Sequence, residues 1–144
     1  MATKKNYKTI VLPPKYTPKK SEPYMCPEHL AYFYQLLTAR REKLLNEHND
    51  ILKDVRTADK TESDGVGDDQ DQAAYEQEIT MNLRMSERNG NLLKKIDAAL
   101  DRIEKGTFGY SDISGDEIVL QRLMARPLAT KTIEEQEEIE KNEK

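Results

Sequence analysis

Four positions, Ser111, Ser114, Thr132 and Glu135, carry the spacing of a four-cysteine zinc finger: two residues within each pair and seventeen between the pairs. A structural zinc of that kind is held by thiolates, which hydroxyls and a single carboxylate do not supply. The flanking residues still have the character of a finger: Gly109-Tyr110, Gly115, Ile118, Arg122-Leu123 and Ala125-Arg126-Pro127. Packing among Tyr110, Ile113, Ile118, Leu120, Leu123 and Leu128 is expected to replace the metal. A second cluster is Asp68-Asp69-Gln70-Asp71-Gln72-Ala73-Ala74. In isolation it is a solvated turn in which Asp71 caps a helix. On a stiff arm, the same carboxylates could act on a metal site and on basic groups of a partner. A third cluster is Arg88, Leu92 and Lys95, which share one helical face by four-then-three spacing. With Arg126 they could hold phosphate through charge-assisted bonds, or pair with nearby glutamates.

Other chemistry is sparse. His29 and His48 stand nineteen residues apart and are expected as ordinary helix-surface residues. The single cysteine, Cys26, excludes an intramolecular disulfide and an all-cysteine metal site. The sequence contains no phosphate loop, nucleophile elbow or HExxH motif, so no catalytic residue is assigned and the chain is not expected to be an enzyme.

These residues need elements to position them. A helix is predicted from Pro27, with proline in the first turn and Glu28 at the positive end of the helix dipole. Leu30, Leu37, Leu44 and Ile51 recur every seven residues, the spacing of a coiled coil. Phe33, Tyr34, Leu52 and Val55 widen this stripe, while Arg40 and Glu47 fall at the second seam positions. Thr57–Gln72, with Gly65 and Gly67, is predicted as a turn or loop. Periodicity resumes with Ala73, Ala74, Ile79, Leu83, Leu93, Ile96, Leu100 and Ile103. Met81 and Met85 are placed as seam or interface fillers. Gly90 weakens this second helix and Gly106 ends it. Two helices of about 30 residues, each roughly 45 Å long, should fold back as an antiparallel hairpin with its acidic connection at the far tip.

The expected organisation is mainly all-α: an irregular basic arm at 1–23, a coiled-coil hairpin at 24–106 with its tip near 58–73, and a degenerate finger-like region with a C-terminal helix at 107–144. The chain has 144 residues, of which 36% are hydrophobic and 35% charged, as long solvated helices require. Its net charge of -4 hides an asymmetry. Residues 1–20 carry six lysines and no acid, residues 59–78 eight acids against one lysine, and residues 134–144 six glutamates and two lysines. Both charged termini are expected to be solvated. The acidic segments repel phosphate, so direct DNA binding is not expected. No apolar stretch suits a membrane span or a secretory signal, and the lone cysteine fits a reducing cytoplasm.

The finger remnant, the acidic tip and the stretch Leu92–Leu100 together resemble the DksA/TraR family of RNA-polymerase-binding transcription factors, in a form without the metal. Asp68, Asp71 and Ala73 match that family's D-x-x-D-x-A tip. This resemblance implies a tip that enters the secondary channel of bacterial RNA polymerase near its active-site Mg²⁺. Leu92, Lys95 and Arg126 match the family's ppGpp-binding pattern, with Arg88 beside them, but Gln136 stands where the family has a lysine. It also implies a cytoplasmic monomer that destabilises promoter open complexes and regulates rRNA and biosynthetic promoters in the stringent response. Two alternatives are a Gre-like transcript-cleavage factor, which would carry a larger β-rich C-terminal domain, and a self-associating structural coiled coil.

Overall fold

The computed structural model describes the backbone of residues 7–63 and 69–143, and the side chains of 7–56 and 71–143. Four helices follow in order: α1 (Pro27–Ser63), α2 (Asp69–Lys105), α3 (Leu120–Ala125) and α4 (Ile133–Asn142). Among the described residues there is no strand, only an isolated antiparallel bridge between Tyr110 and Glu117. The two long helices form the antiparallel hairpin that the heptads predict. The molecule divides into two units, Arg40–Lys95 and Met1–Ala39 with Ile96–Lys144.

The ends of the long helices follow from local chemistry. Pro27 opens α1 with Glu28 in its first turn, and the Leu30 amide donates to the Cys26 carbonyl at 3.1 Å. Proline forfeits nothing there, because its missing N–H would have had no helical partner. At the far end of α2, Gly106 adopts φ 81°. Its amide donates to the Ile103 carbonyl at 3.3 Å, and the Thr107 amide donates to Arg102 at 2.9 Å. This pair of bonds is a Schellman motif, which satisfies carbonyls the helix end would orphan.

The connection between the helices is shorter than the sequence suggests. The loop expected over 57–72 contracts, because α1 runs on to Ser63 and α2 already starts at Asp69. Apolar periodicity stops here but the helices do not. Ala58, Lys60 and Glu62 are good helix formers, and acidic residues suit the first turn of α2.

In the unit Arg40–Lys95, Arg41, Leu44, His48, Ile51 and Val55 of α1 are half-buried. On α2, Tyr75, Ile79, Asn82, Asn89 and Leu93 are half-buried and Ser86 is buried. The second seam row therefore runs through Arg41 and His48; Arg40 and Glu47 are exposed. A seven-residue leucine spacing leaves the companion row three or four residues away, and only the partner helix chooses between them. Leu83, expected in the seam, faces outward at 50% exposure, and Met81 at 65% and Met85 at 47% fit the interface rather than the seam alternative. Ala73 and Ala74 are exposed too.

The other unit holds the thicker core. Leu30, Ala31, Phe33 and Leu37 of α1 are buried, as are Ile96, Ala99 and Ile103 of α2, together with Phe108, Ile118, Leu120 and Leu123. Each fully buried large side chain contributes about 1.5–3 kcal/mol by leaving water. Phe33 and Phe108 meet with ring centroids 5.2 Å apart. The basic arm joins this core, contrary to the expectation of a solvated tail. Tyr7 is 3% exposed and meets Tyr34 edge-on at 5.3 Å. Tyr16 meets Tyr32 at 6.3 Å, and Gln35 Nε2 donates to the Ile10 carbonyl at 3.3 Å. Lysine and proline content concealed the tyrosines that dock the arm.

Candidate functional site

The hairpin presents one continuous face of α2. Asp71 and Ala73 lie in its first turns and are exposed. Asp68 lies outside the described residues. From Ala73 a shallow hollow runs along the helix past Thr80, Met81 and Arg84 to Arg88. A second hollow continues from Arg84 and Arg88 through Asn91 and Leu92 to Lys95. Ala73 and the basic residues, read separately in the sequence, thus share one helix face, while Asp71 lies outside both hollows. Arg88 and Lys95 are exposed and Leu92 half-buried. The outward methionines supply polarizable apolar surface between the acidic and basic ends. Arg126, also exposed, belongs to the other unit. On α4, Gln136 donates from Nε2 to Glu140 at 3.2 Å.

The finger remnant is built around oxygen. Ser111 is buried, and its Oγ accepts from the amides of Ile113 at 3.1 Å and Ser114 at 3.2 Å. Ser114 Oγ accepts from the Asp116 amide at 3.3 Å. Thr132 caps α4: its Oγ1 accepts from the Glu135 amide at 3.2 Å, and Glu135 Oε1 accepts from the Thr132 amide at 2.9 Å. This reciprocal pair is a capping box. Hydrogen bonds from Ser111, the Thr132 amide, Ser114 and the Thr132 hydroxyl hold the Glu135 carboxyl at about 2, well below its ordinary 4.5. Within each pair the positions bond to each other: the Ser114 amide to Ser111 Oγ, and Thr132 with Glu135 in both directions.

Backbone bonds complete the knot. Asp112 N donates to Thr130 O at 2.9 Å, Ser111 N to Asp116 O at 2.8 Å and Ile118 N to Gly109 O at 2.8 Å. The apolar packing expected here is present only in part. Ile118, Leu120 and Leu123 are buried, Tyr110 and Leu128 half-buried, and Ile113 is 61% exposed. The donor set does not fit a structural zinc: it has no thiolate, and its one anion is committed to hydrogen bonds.

Tyr24 fastens this region to the residues before α1. Its hydroxyl lies between the carbonyls of Gly109, at 2.6 Å, and Ile118. Burial is the main reason its proton is held well above the usual tyrosine range.

Sequence reasoning missed a further group. His29 is buried at 1% exposure, not on the surface, and lies beside Glu22 and Cys26. Burial raises the Cys26 thiol, so it is not an activated nucleophile. The available signal was Cys26-x-x-His29, a spacing that one helical turn brings together.

A two-helix hairpin and a degenerate finger place this chain in the class of helical hairpin proteins. Comparison with known proteins narrows the class. The family described as DnaK suppressor protein DksA, N-terminal domain, matches residues 29–103. The RNA polymerase-binding transcription factor DksA of Caulobacter vibrioides is 37% identical over 129 residues, covering 90% of this chain and 88% of that one. Its Escherichia coli K12 namesake is 36% identical over 114 residues, 79% and 73% of the two chains. The solved structure of transcription factor DksA2 from Pseudomonas aeruginosa superposes with a TM-score of 0.75 at 33% identity, covering 88% of this chain and 93% of that one. The chain belongs to the DksA family.

Proposed function

We propose that this chain is a transcription factor that binds bacterial RNA polymerase through its secondary channel and destabilises promoter open complexes. The observation that carries this reading is the exposed face of α2 that runs from Ala73 through Arg84 and Arg88 to Lys95, with exposed Asp71 in the same first turns. The relatives that match most of this chain are named as RNA polymerase-binding transcription factors, which supports the partner. Asp71 and Ala73 would act near the polymerase active site, with Asp68 beside them, and the exposed methionines and arginines would dock the shaft. The protein acts as a regulator, not an enzyme, and works as a monomer in the cytoplasm, where its partner is. No helix of the described residues is long and apolar enough to cross a membrane.

ppGpp is the proposed co-effector at rRNA and biosynthetic promoters in the stringent response, with Arg88, Leu92 and Lys95 of α2 as its candidate residues and Arg126 a further candidate in the other unit. Gln136 contributes no positive charge, so that response is weaker than with a lysine there. The finger itself works without zinc, with the Glu135 carboxylate as its centre.

The β-rich C-terminal domain of a Gre-like factor has no counterpart among the described residues, where 107–143 hold α3, α4 and one isolated bridge. The test is in vitro transcription from an rRNA-type promoter with Asp71→Asn and Ala73→Thr, alongside polymerase binding. Variants that bind but no longer repress place function at the tip. Failure of the parent protein to compete with other channel-entering factors overturns the reading.

A further inference from the structure

Away from the hairpin face and the finger remnant, three ligand-bearing side chains meet where the N-terminal arm enters α1. Glu22, Cys26 and His29 each offer one donor atom, all within 4.8 Å of one another. His29 is 1% exposed, yet neither ring nitrogen has a hydrogen-bond partner. Its Nε2 stands 3.7 Å from Glu22 Oε1, beyond hydrogen-bond length. A buried imidazole with both nitrogens unsatisfied is costly and calls for an explanation.

The local chain path builds the cluster. Cys26 precedes the first turn of α1, and His29, three residues on, returns to the same side. The Cys26 amide donates to Pro23 O at 3.1 Å and the Glu22 amide to Lys19 O at 3.2 Å. These turns fold the preceding segment over the helix start. Glu22 is held from outside: Tyr16 OH donates to its carboxylate at 3.0 and 2.9 Å, and the Lys19 amide donates to Oε1 at 3.0 Å. Such outer bonds aim a carboxylate that ligates metal. Glu22 and Cys26 are half-buried, which leaves an entry path from solvent.

We propose that Glu22, Cys26 and His29 form a binding site for one divalent transition-metal ion, with zinc the best fit. One sulfur, one imidazole nitrogen and one carboxylate oxygen suit zinc and are wrong for calcium or magnesium. Zinc–ligand distances of about 2.0–2.3 Å require donors roughly 3.3–3.8 Å apart; Glu22 and His29 already meet this, so the Cys26 sulfur is the donor that closes in on binding. Water fills the fourth position. The thiol releases its proton to solvent as the sulfur coordinates. Thiolate and carboxylate together balance the charge of the ion. The site ties the arm to the start of α1, and it stands whether or not the polymerase reading holds.

The test uses the full chain, stripped with a chelator and titrated with zinc alone by calorimetry, then with cobalt(II) followed by absorbance. One equivalent and a thiolate-to-cobalt charge-transfer band are expected. Cys26→Ser, at a half-buried position, should abolish the band and weaken zinc binding by more than about ten-fold, with the helical circular dichroism unchanged. Tyr16→Phe should weaken it by about ten-fold. Glu135→Gln should leave it unchanged, because the finger is separate. No band, no zinc uptake, or zinc affinity unaltered by Cys26→Ser would overturn the site.

Discussion

Thr132 and Glu135 bond to each other twice, backbone amide to side chain in both directions, at 2.9 and 3.2 Å. In a four-thiolate finger, both positions would hold metal. Here they start α4, and Ser111 and Ser114 help hold the Glu135 carboxyl in its charged form. The start of α4 is thus tied by a carboxylate, and its stability depends on that group's protonation.

Acid should therefore loosen the finger remnant. The folded Glu135 carboxyl titrates at about 2, below its ordinary 4.5, so the folded state favours the charged form. The resulting stabilisation is complete above the ordinary value and fades as pH falls toward 2. Thermal melts of the parent protein and Glu135→Gln across this window should differ most near neutrality and converge in acid. A gap independent of pH would show that the charge is irrelevant.

Removing the other half of the capping box should destabilise α4. Thr132→Ala deletes the oxygen that accepts from the Glu135 amide, a loss of about 0.5–2 kcal/mol. Amide exchange in Ile133–Asn142 should accelerate while exchange in α2 is unchanged.

Gly109 should tolerate no side chain. It adopts φ 90°, and a Cβ there would lie 2.9 Å from the Tyr24 hydroxyl and 3.0 Å from Met25 Cε. Gly109→Ala adds backbone strain of about 1–3 kcal/mol to that collision. Denaturant unfolding should show a clear fall in midpoint.

Gly90 is the opposite case. A Cβ built there meets only His48 Cε1, at 4.0 Å, an ordinary contact. Gly90→Ala should therefore stabilise α2 by up to about 1 kcal/mol through helix propensity. A lowered melting temperature would mean that the His48 ring needs more room than this.

Much of the hairpin was legible because its signals are local. Pro27 and Gly106 mark the outer ends of the long helices through backbone chemistry that acts within a turn. The seven-residue leucine rows announce two paired helices. The register of the second seam row was not legible: Arg40 with Glu47 and Arg41 with His48 satisfy the same leucine spacing. Likewise, Met81, Leu83 and Met85 look like core residues until the partner helix takes Asn82, Ser86 and Asn89 instead. Polar residues can line a seam because their neighbours supply the contacts, and no single-chain periodicity records that.

The sequence by itself determined a helical hairpin, an acidic approach to α2 and a finger without its thiolates, since each depends on residue type and short-range spacing. Tertiary structure decided how Ser111 and Ser114 bond within their turn while Thr132 and Glu135 cap α4, that tyrosines dock the basic arm, and that Glu22 and Cys26 reach a buried His29. Those outcomes depend on the directions of side chains brought together by folding, and hydrogen bonds and metal ligation are directional where hydrophobic patterning is not.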